Sequence, residues 1–143
     1  RVAKATLCLL NRERARRHLR PLRRNRSLDG VASRYARQMV EARFFNHVSP
    51  RGATLTQRVR ATSYLDGLRS WSIGENLAWG TGSHATAAQT VRAWMDSPGH
   101  RRNILDRRFR EIGIGVASGV PDRIASASTG ATYAHVFGRR VRR

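Results

Sequence analysis

The 143-residue chain is 40% hydrophobic, which suits a single globular domain (residues 1–143) that buries its own core without metal or disulfide staples. It contains no run of about 18 apolar residues, which excludes a membrane-spanning helix. The formal charge is +19, carried almost wholly by arginine because Lys4 is the only lysine, and it suits anionic partners such as cell-envelope polymers.

The arginines are scattered along the chain rather than gathered in one stripe. This distribution favours a solvated basic surface with nonspecific, salt-sensitive contacts. Specific nucleic-acid binding is not expected, since no helix-turn-helix, RNA-binding or zinc-module motif accompanies the charge. The densest basic blocks, residues 14–26 and 139–143, are candidates for flexible segments.

The first part of the chain is predicted to be helical. Hydrophobic spacing indicates a helix over residues 3–19, ended by Pro21, with Leu7, Leu10, Ala15 and Leu19 on its inner side. Cys8 is the only cysteine, which excludes an internal disulfide, and its leucine neighbours predict that it is buried.

A second helix should begin at Ser27 as its N-cap and end near Phe44. Its apolar residues recur three or four positions apart and are expected to face inward: Leu28, Val31, Ala32, Tyr35, Ala36 and Met39. Residues 46–52 are predicted to form a loop, and residues 54–62 a short helix with Leu55 and Val59 inward.

Strands enter in the second part of the chain. Residues 71–80 alternate as a strand, which places Glu75 on the apolar side where an unpartnered carboxylate would be costly or protonated. Helices are predicted over residues 84–95 and from Ser97, as N-cap before Pro98, to Leu105. Residues 112–118 and 131–138 are predicted strands separated by a loop of Gly, Ser and Pro. This order favours an α+β or three-layer fold over a doubly wound sheet.

His47, Glu75 and His100 are the candidate site residues. His100 falls in the first turn of its predicted helix, where the helix dipole disfavours imidazolium, so we expect a neutral ring near pH 7. Two imidazoles and a carboxylate can hold Zn²⁺ in an open site, or they can form a hydrogen-bonded cluster without metal. The chain has neither an HExxH nor a CxxC motif, so the sequence does not decide between a zinc site and a metal-free cluster.

Several linked motifs carry a family resemblance that covers nearly the whole chain. They are LNRER at residues 10–14, FFNHVSP at 44–50, IGENL at 73–77, WMDSPGHRRNIL at 94–105, EIGIGV at 111–116 and residues 133–138. In this order they closely resemble the CAP superfamily (cysteine-rich secretory proteins, antigen 5 and pathogenesis-related 1 proteins), in its bacterial branch.

The resemblance implies an α-β-α sandwich around a small, mostly antiparallel sheet, in a secreted or cell-surface protein with a central cavity. It implies that His47, Glu75 and His100 line the cavity and that Ser97 takes the place of a second acid, which should weaken metal binding. The disulfides of the family are absent. The chain begins at Arg1 without an initiator methionine or hydrophobic leader, so we expect that any export signal has been removed.

The leading hypothesis is a non-enzymatic binding module whose cavity takes a divalent metal such as Zn²⁺, a small molecule, or a lipid or sterol. The alternative is a metal-dependent hydrolase in which His47 and His100 hold the metal and Glu75 is the base. A Ser97–His100 nucleophile pair is a further variant, although helix capping explains Ser97 better. We expect a structural role for His135, positions in the core for Trp71, Trp79 and Trp94, and backbone hydrogen bonds from Asn76 and Asn103.

Overall fold

The computed structural model describes residues 1–122 and 129–143. Its helices are α1 (Val2–Ala15), α2 (Arg26–Ala42), α3 (Leu55–Arg60), α4 (Ala87–Met95) and α5 (Pro98–Leu105), with a 3₁₀ helix at Gly82–Ala85. Its strands are β1 (Arg23–Arg24), β2 (Leu68–Thr81), β3 (Glu111–Ser118) and β4 (Gly130–Arg142). The loop predicted between the last two strands lies partly outside the described residues.

The four strands form one sheet in the order β1-β3-β4-β2. Strand β4 pairs antiparallel with both β3 and β2, whereas the short β1 pairs parallel with β3. The mostly antiparallel sheet of an α+β fold is therefore confirmed. Strand β2 lies at one edge of this sheet, and this position matters for the candidate site.

Helix α2 covers one face of the sheet with the inward residues that its spacing predicted, and all six of them are buried. They pack with residues such as Leu77, Ala134 and Val136 of the strands. The helix begins two residues earlier than predicted, because the side chain of Asn25, not Ser27, accepts a hydrogen bond from the Leu28 amide.

Helices α1, α4 and α5 cover the opposite face. Their buried residues Leu10, Val91, Trp94 and Ile104 pack against strand residues that include Ile112, Ile114, Tyr133 and Phe137. Helices therefore lie on both faces of the sheet, which is the three-layer arrangement that the family resemblance implied.

Helix α1 departs from its prediction. It ends at Ala15 rather than Leu19, because the chain turns through His18 with a positive φ of 57°. Its buried residues are Thr6, Leu10 and Arg14. Arg14 is fully buried, so the basic block at residues 14–26 is not a free segment, and a charged residue occupies a position where the hydrophobic pattern gave no signal.

Three further expectations were wrong. Cys8 is exposed, because it lies off the buried stripe of α1. Trp79 is 37% exposed near the end of the edge strand. The basic C-terminal end was a candidate for flexibility, yet residues 139–142 continue β4 and pair with β2. Among the described residues, none of the helices is long and apolar enough to cross a membrane.

Candidate functional site

His47 lies in the loop that follows α2. The helix ends at Ala42, and the left-handed conformation of the next residue, Arg43 (φ 56°), turns the chain back. Tyr35 then holds the loop, because its hydroxyl donates a hydrogen bond to the carbonyl of Asn46. The Asn46 side chain accepts from the Val48 amide at 3.1 Å and so shapes the loop from within. The His47 side chain remains 56% exposed at this corner.

Glu75 comes from β2 and points to the α2 face, opposite Val136 of β4. Its side chain is only 2% exposed. One carboxylate oxygen lies 2.9 Å from Nδ1 of His47. This bond directs the imidazole, since it leaves the Nε2 atom of His47 facing away from Glu75.

Arg58 of α3 completes the contacts of Glu75. Its two terminal nitrogens donate to the two carboxylate oxygens at 2.7 and 3.0 Å, and one of them also donates to the carbonyl of His47 at 2.8 Å. The guanidinium stacks on Tyr35, 3.4 Å from the ring centroid. Burial raises the pKa of Tyr35 to about 12, so its hydroxyl keeps the proton that it donates.

Sequence reasoning missed Arg58. The signal was indirect: a carboxylate on the apolar side of a strand requires a cation. The chain offers 27 arginines, however, and the pattern could not select one of them. The structure selects Arg58 because it precedes the buried Val59 in α3 and so faces the edge of the sheet.

His100 approaches from α5, in the other helical layer. Ser97 and Pro98 begin the helix as predicted, but the Ser97 side chain does not cap it. The Ser97 hydroxyl instead lies 2.8 Å from Nδ1 of His100. Burial, and then the positive charge of His47, lower the pKa of His100, which agrees with the neutral ring that we expected.

Two asparagines fasten α5 to the edge strand. Asn76, fully buried on the face opposite Glu75, donates to the carbonyl of His100 at 3.0 Å. Asn103 donates to the carbonyl of Glu75 at 3.2 Å and to the side chain of Asn76 at 2.9 Å. Gly74 allows this approach, since a Cβ there would lie 3.1 Å from Asn103. The expected backbone contacts of both asparagines are confirmed.

His47 and Glu75 therefore belong to the α2 side of the sheet and His100 to the α5 side, and they meet around the edge strand. The two histidines are near enough for the charge of one to shift the pKa of the other. Each has its Nδ1 atom held by a neighbour, Glu75 or Ser97, and its Nε2 atom turned from that contact. We call these two residues the histidine pair.

His135 lies deeper, behind the histidine pair. Its ring centroid is 4.4 Å from that of Trp94, which in turn stacks on His100 at 6.3 Å. The imidazole is fully buried, and neither ring nitrogen has a hydrogen-bond partner. Burial lowers its pKa to about 3, so the ring is neutral. Trp94 is buried, as predicted, and donates to the carbonyl of Leu77 at 3.0 Å.

The donor set limits what the site can hold. Among residues 1–122 and 129–143, no group of three or more His, Cys, Asp or Glu side chains could hold a metal ion. Glu75 is committed to Arg58 and His47, which leaves the two imidazoles as donors. Imidazole nitrogen is a donor type that Zn²⁺ accepts, and a carboxylate that accepts a hydrogen bond from the other ring nitrogen, as Glu75 can from His47, is typical of metal-bound histidines.

Comparison with known proteins identifies the family of the chain. The family model of the cysteine-rich secretory proteins, CAP, matches residues 7–124, a range that contains His47, Glu75 and His100. The chain belongs to the CAP family. Its relatives include YkwD, an uncharacterized protein of Bacillus subtilis, which is 34% identical over 107 residues, or 75% of this chain and 39% of that protein.

A second CAP relative, the uncharacterized membrane protein YlbC of Bacillus subtilis, is 28% identical over 79% of this chain and 31% of its own length. The chain thus spans less than two fifths of these curated relatives. An extracellular protein from Bacillus anthracis with an SCP domain superposes with a TM-score of 0.79 at 26% identity, over 96% of this chain and 40% of that one.

An outer surface protein of Borrelia burgdorferi superposes with a TM-score of 0.78 at 23% identity and covers 96% of this chain and 91% of its own. At this identity the likeness establishes the fold alone. Together, these relatives place the chain in the bacterial branch of the CAP family.

Proposed function

We propose that this CAP domain is a non-enzymatic binding module, secreted or displayed at the cell surface, that takes a divalent cation at the histidine pair. The observation that carries the proposal is the orientation of the two imidazole rings. Glu75 and Ser97 hold the two Nδ1 atoms, so both Nε2 atoms are directed away from the protein contacts. A ring nitrogen that no protein group occupies is the atom through which an imidazole binds Zn²⁺, and each of the two rings offers one.

The surroundings of the pair also suit a ligand with an apolar part. Phe45 is 46% exposed and Val48 is 44% exposed, on either side of His47. A small or lipid-like molecule would bury these side chains while the imidazoles contact its polar group.

The contacts of Glu75 do not favour the hydrolase alternative. A general base needs a free carboxylate oxygen within reach of the proton that it removes. Here both oxygens of Glu75 already accept hydrogen bonds from Arg58, and one also contacts His47. These contacts support a role for Glu75 as a positioning residue for His47.

Location outside the cytoplasm is supported by the CAP relative from Bacillus anthracis, which is described as an extracellular protein. The charge of +19 further supports association with anionic polymers of the cell envelope. This electrostatic association is independent of the histidine pair.

Zinc titration calorimetry tests the proposed cation site. We expect His47→Ala and His100→Ala each to weaken Zn²⁺ binding by about tenfold or more, because each removes one of two protein ligands. His84→Ala is the matched control, since His84 is exposed on the 3₁₀ helix and should leave the affinity unchanged. Equal Zn²⁺ affinity in the wild type and both site variants would disprove the proposal.

A further inference from the structure

A second candidate site lies away from the histidine pair, at the end of the sheet where α1 and α5 finish. Three segments surround a cleft of about 520 Å³ there: the turn after α1, the loop between α5 and β3, and the end of β4. Six of its lining residues are arginines, and none is acidic. We call it the arginine cleft: Arg20, Arg107, Arg108, Arg110, Arg139 and Arg140.

The buried Arg14 builds this cleft. Its guanidinium donates to the carbonyl of Arg20 at 2.7 Å, on one wall. It also donates to the carbonyls of Ile104, Asp106 and Phe109 at 2.7, 3.0 and 3.1 Å, which ties down the opposite wall. The Arg110 amide then donates to the carbonyl of Gly138 at 3.0 Å and joins this wall to β4. The backbone around the cleft is therefore held in place before any ligand arrives.

Half of the arginines in the cleft are used within the protein. Arg108 pairs with Asp106, Arg140 pairs with Glu111, and Arg110 donates to the carbonyl of Arg107. The side chains of Arg20, Arg107 and Arg139 have no hydrogen bond or ion pair with any other residue of the described ranges. Three guanidinium groups without a protein partner in the described part of the chain thus line one concavity and remain available to an anion.

A neighbouring cleft of about 440 Å³ extends this surface. It shares Arg20 and Arg110 with the first and adds Arg23. Its one acid, Glu111, is already bound by Arg140, Tyr64 and Asn25. The two clefts adjoin at these shared arginines, and we call the basic surface that they form the groove; their volumes of about 520 and 440 Å³ offer room for more than a single phosphate.

The chemistry of the lining narrows the ligand class. Guanidinium forks match phosphate oxygens in pairs. Among the described residues, His18 is the one aromatic ring that lines the two clefts, there is no Phe, Tyr or Trp to form a stacking platform for nucleobases, and Leu19 and Pro21 are the only apolar residues. These features disfavour single-stranded nucleic acid and lipid tails. From them we infer that the groove binds a linear oligophosphate, a chain that presents several phosphate groups in a row.

This inference specifies the anionic partner that the proposed function described only by its charge, and it does not depend on the histidine pair. Isothermal titration with inorganic tripolyphosphate at physiological salt provides the test. We expect Arg107→Gln/Arg139→Gln to weaken binding by about tenfold or more, because it removes two unpaired guanidinium groups. Neither substitution breaks an internal contact, so folding should persist.

The control is Arg34→Gln/Arg37→Gln, which lowers the net charge equally on the exposed side of α2. We expect it to change the affinity less than about twofold, as for a distant surface charge. Equal losses of tripolyphosphate affinity in both double variants would show a nonspecific charge effect and overturn the proposed site. Zn²⁺ binding at the histidine pair is measured in a separate experiment, so its outcome does not depend on this one. Equal affinities for single phosphate and tripolyphosphate would also overturn it.

Two further ligands identify the source of the phosphates. A poly(glycerol phosphate) chain represents a phosphodiester polymer of the envelope, and tripolyphosphate represents a condensed polyphosphate. Preference for either supports the inference and identifies the source. Binding of a single-stranded oligonucleotide through the same arginines, tighter than binding of both phosphate chains, would overturn it in favour of nucleic acid.

Discussion

On one face of the sheet, α2 lies so near β3 that its backbone reaches the positions where Gly113 and Gly115 lack a side chain. On the other face, α1, α4 and α5 enclose buried polar groups, among them Arg14, Asn76 and His135. The first face is held by close, regular packing. The second is held by individual hydrogen bonds that connect irregular segments. The arginine cleft is built from those segments, whereas the histidine pair takes His100 from this face and His47 from the first.

The largest expected effect tests the face of the sheet that α2 covers, where the packing is closest. Gly113→Ala would place a Cβ 2.0 Å from the carbonyl carbon and oxygen of Leu28, so α2 would have to move. We expect a loss of about 4 kcal/mol in the free energy of unfolding, at the severe end for a single substitution. Urea unfolding followed by tryptophan fluorescence measures it.

Gly30→Ala is the matched control for this substitution. Gly30 lies within α2, and a Cβ there meets only the Arg34 side chain, at 3.5 Å or more. Alanine should stabilise the helix by up to about 1 kcal/mol. Comparable destabilisation by both alanines would refute the close-packing explanation.

The second largest effect tests the opposite face, where α1, α4 and α5 enclose buried polar groups. Arg14→Met keeps much of the side-chain volume but removes the guanidinium that donates to four carbonyl groups, at Arg20, Ile104, Asp106 and Phe109. The Asp106 carbonyl keeps the Phe109 amide as a donor, whereas those of Arg20 and Ile104 lose the side chain that joined them. We expect a loss of about 3 kcal/mol, measured in the same unfolding experiment. Arg12→Met, on the exposed side of α1, should change stability by less than about 0.5 kcal/mol. Similar free energies of unfolding for the two variants would mean that the hydrogen bonds of Arg14 do not stabilise the fold.

The smallest effect is a dependence on pH. The pKa of His135 is about 3 in the folded chain, whereas that of an exposed histidine is about 6.5. Below about pH 6.5 the unfolded chain therefore binds a proton that the folded chain does not. The free energy of unfolding then decreases as the pH is lowered, by up to about 1.4 kcal/mol per pH unit. The lowered pKa of His100 acts in the same direction.

Urea unfolding between about pH 6.5 and pH 5 measures this slope, above the range in which Asp106 and Glu111 take up protons. His135→Phe removes the titrating ring and should flatten the slope. If the variant retained the slope of the wild type, the buried imidazole would not be its source.

The regular features were predictable from the sequence. The buried positions of α2 follow from apolar spacing alone, because a helix that packs on a sheet buries only the side that faces it. The linked motifs predicted the family and the three layers. They also selected His47, Glu75, Ser97 and His100, which the structure gathers around the edge strand, although their binding role stays a prediction.

The irregular features were not predictable. Arg14 and Arg58 are two among 27 arginines, and nothing in their local pattern sets them apart from the exposed ones. Ser97 carried a strong capping signal, yet its hydroxyl contacts His100 instead. Trp79 alternates like its buried neighbours but lies near the end of an edge strand, where coverage by other elements is lost.

Local spacing and motif order thus predicted most of the helices, the three long strands and the candidate site residues, since each prediction depends on residues close together in the chain. The partners of the buried charges, the route of the basic C-terminal end and the shape of the arginine cleft came from the packed fold. These depend on which distant carbonyl and carboxylate groups are brought near each guanidinium, and that distance is a property of the assembled layers.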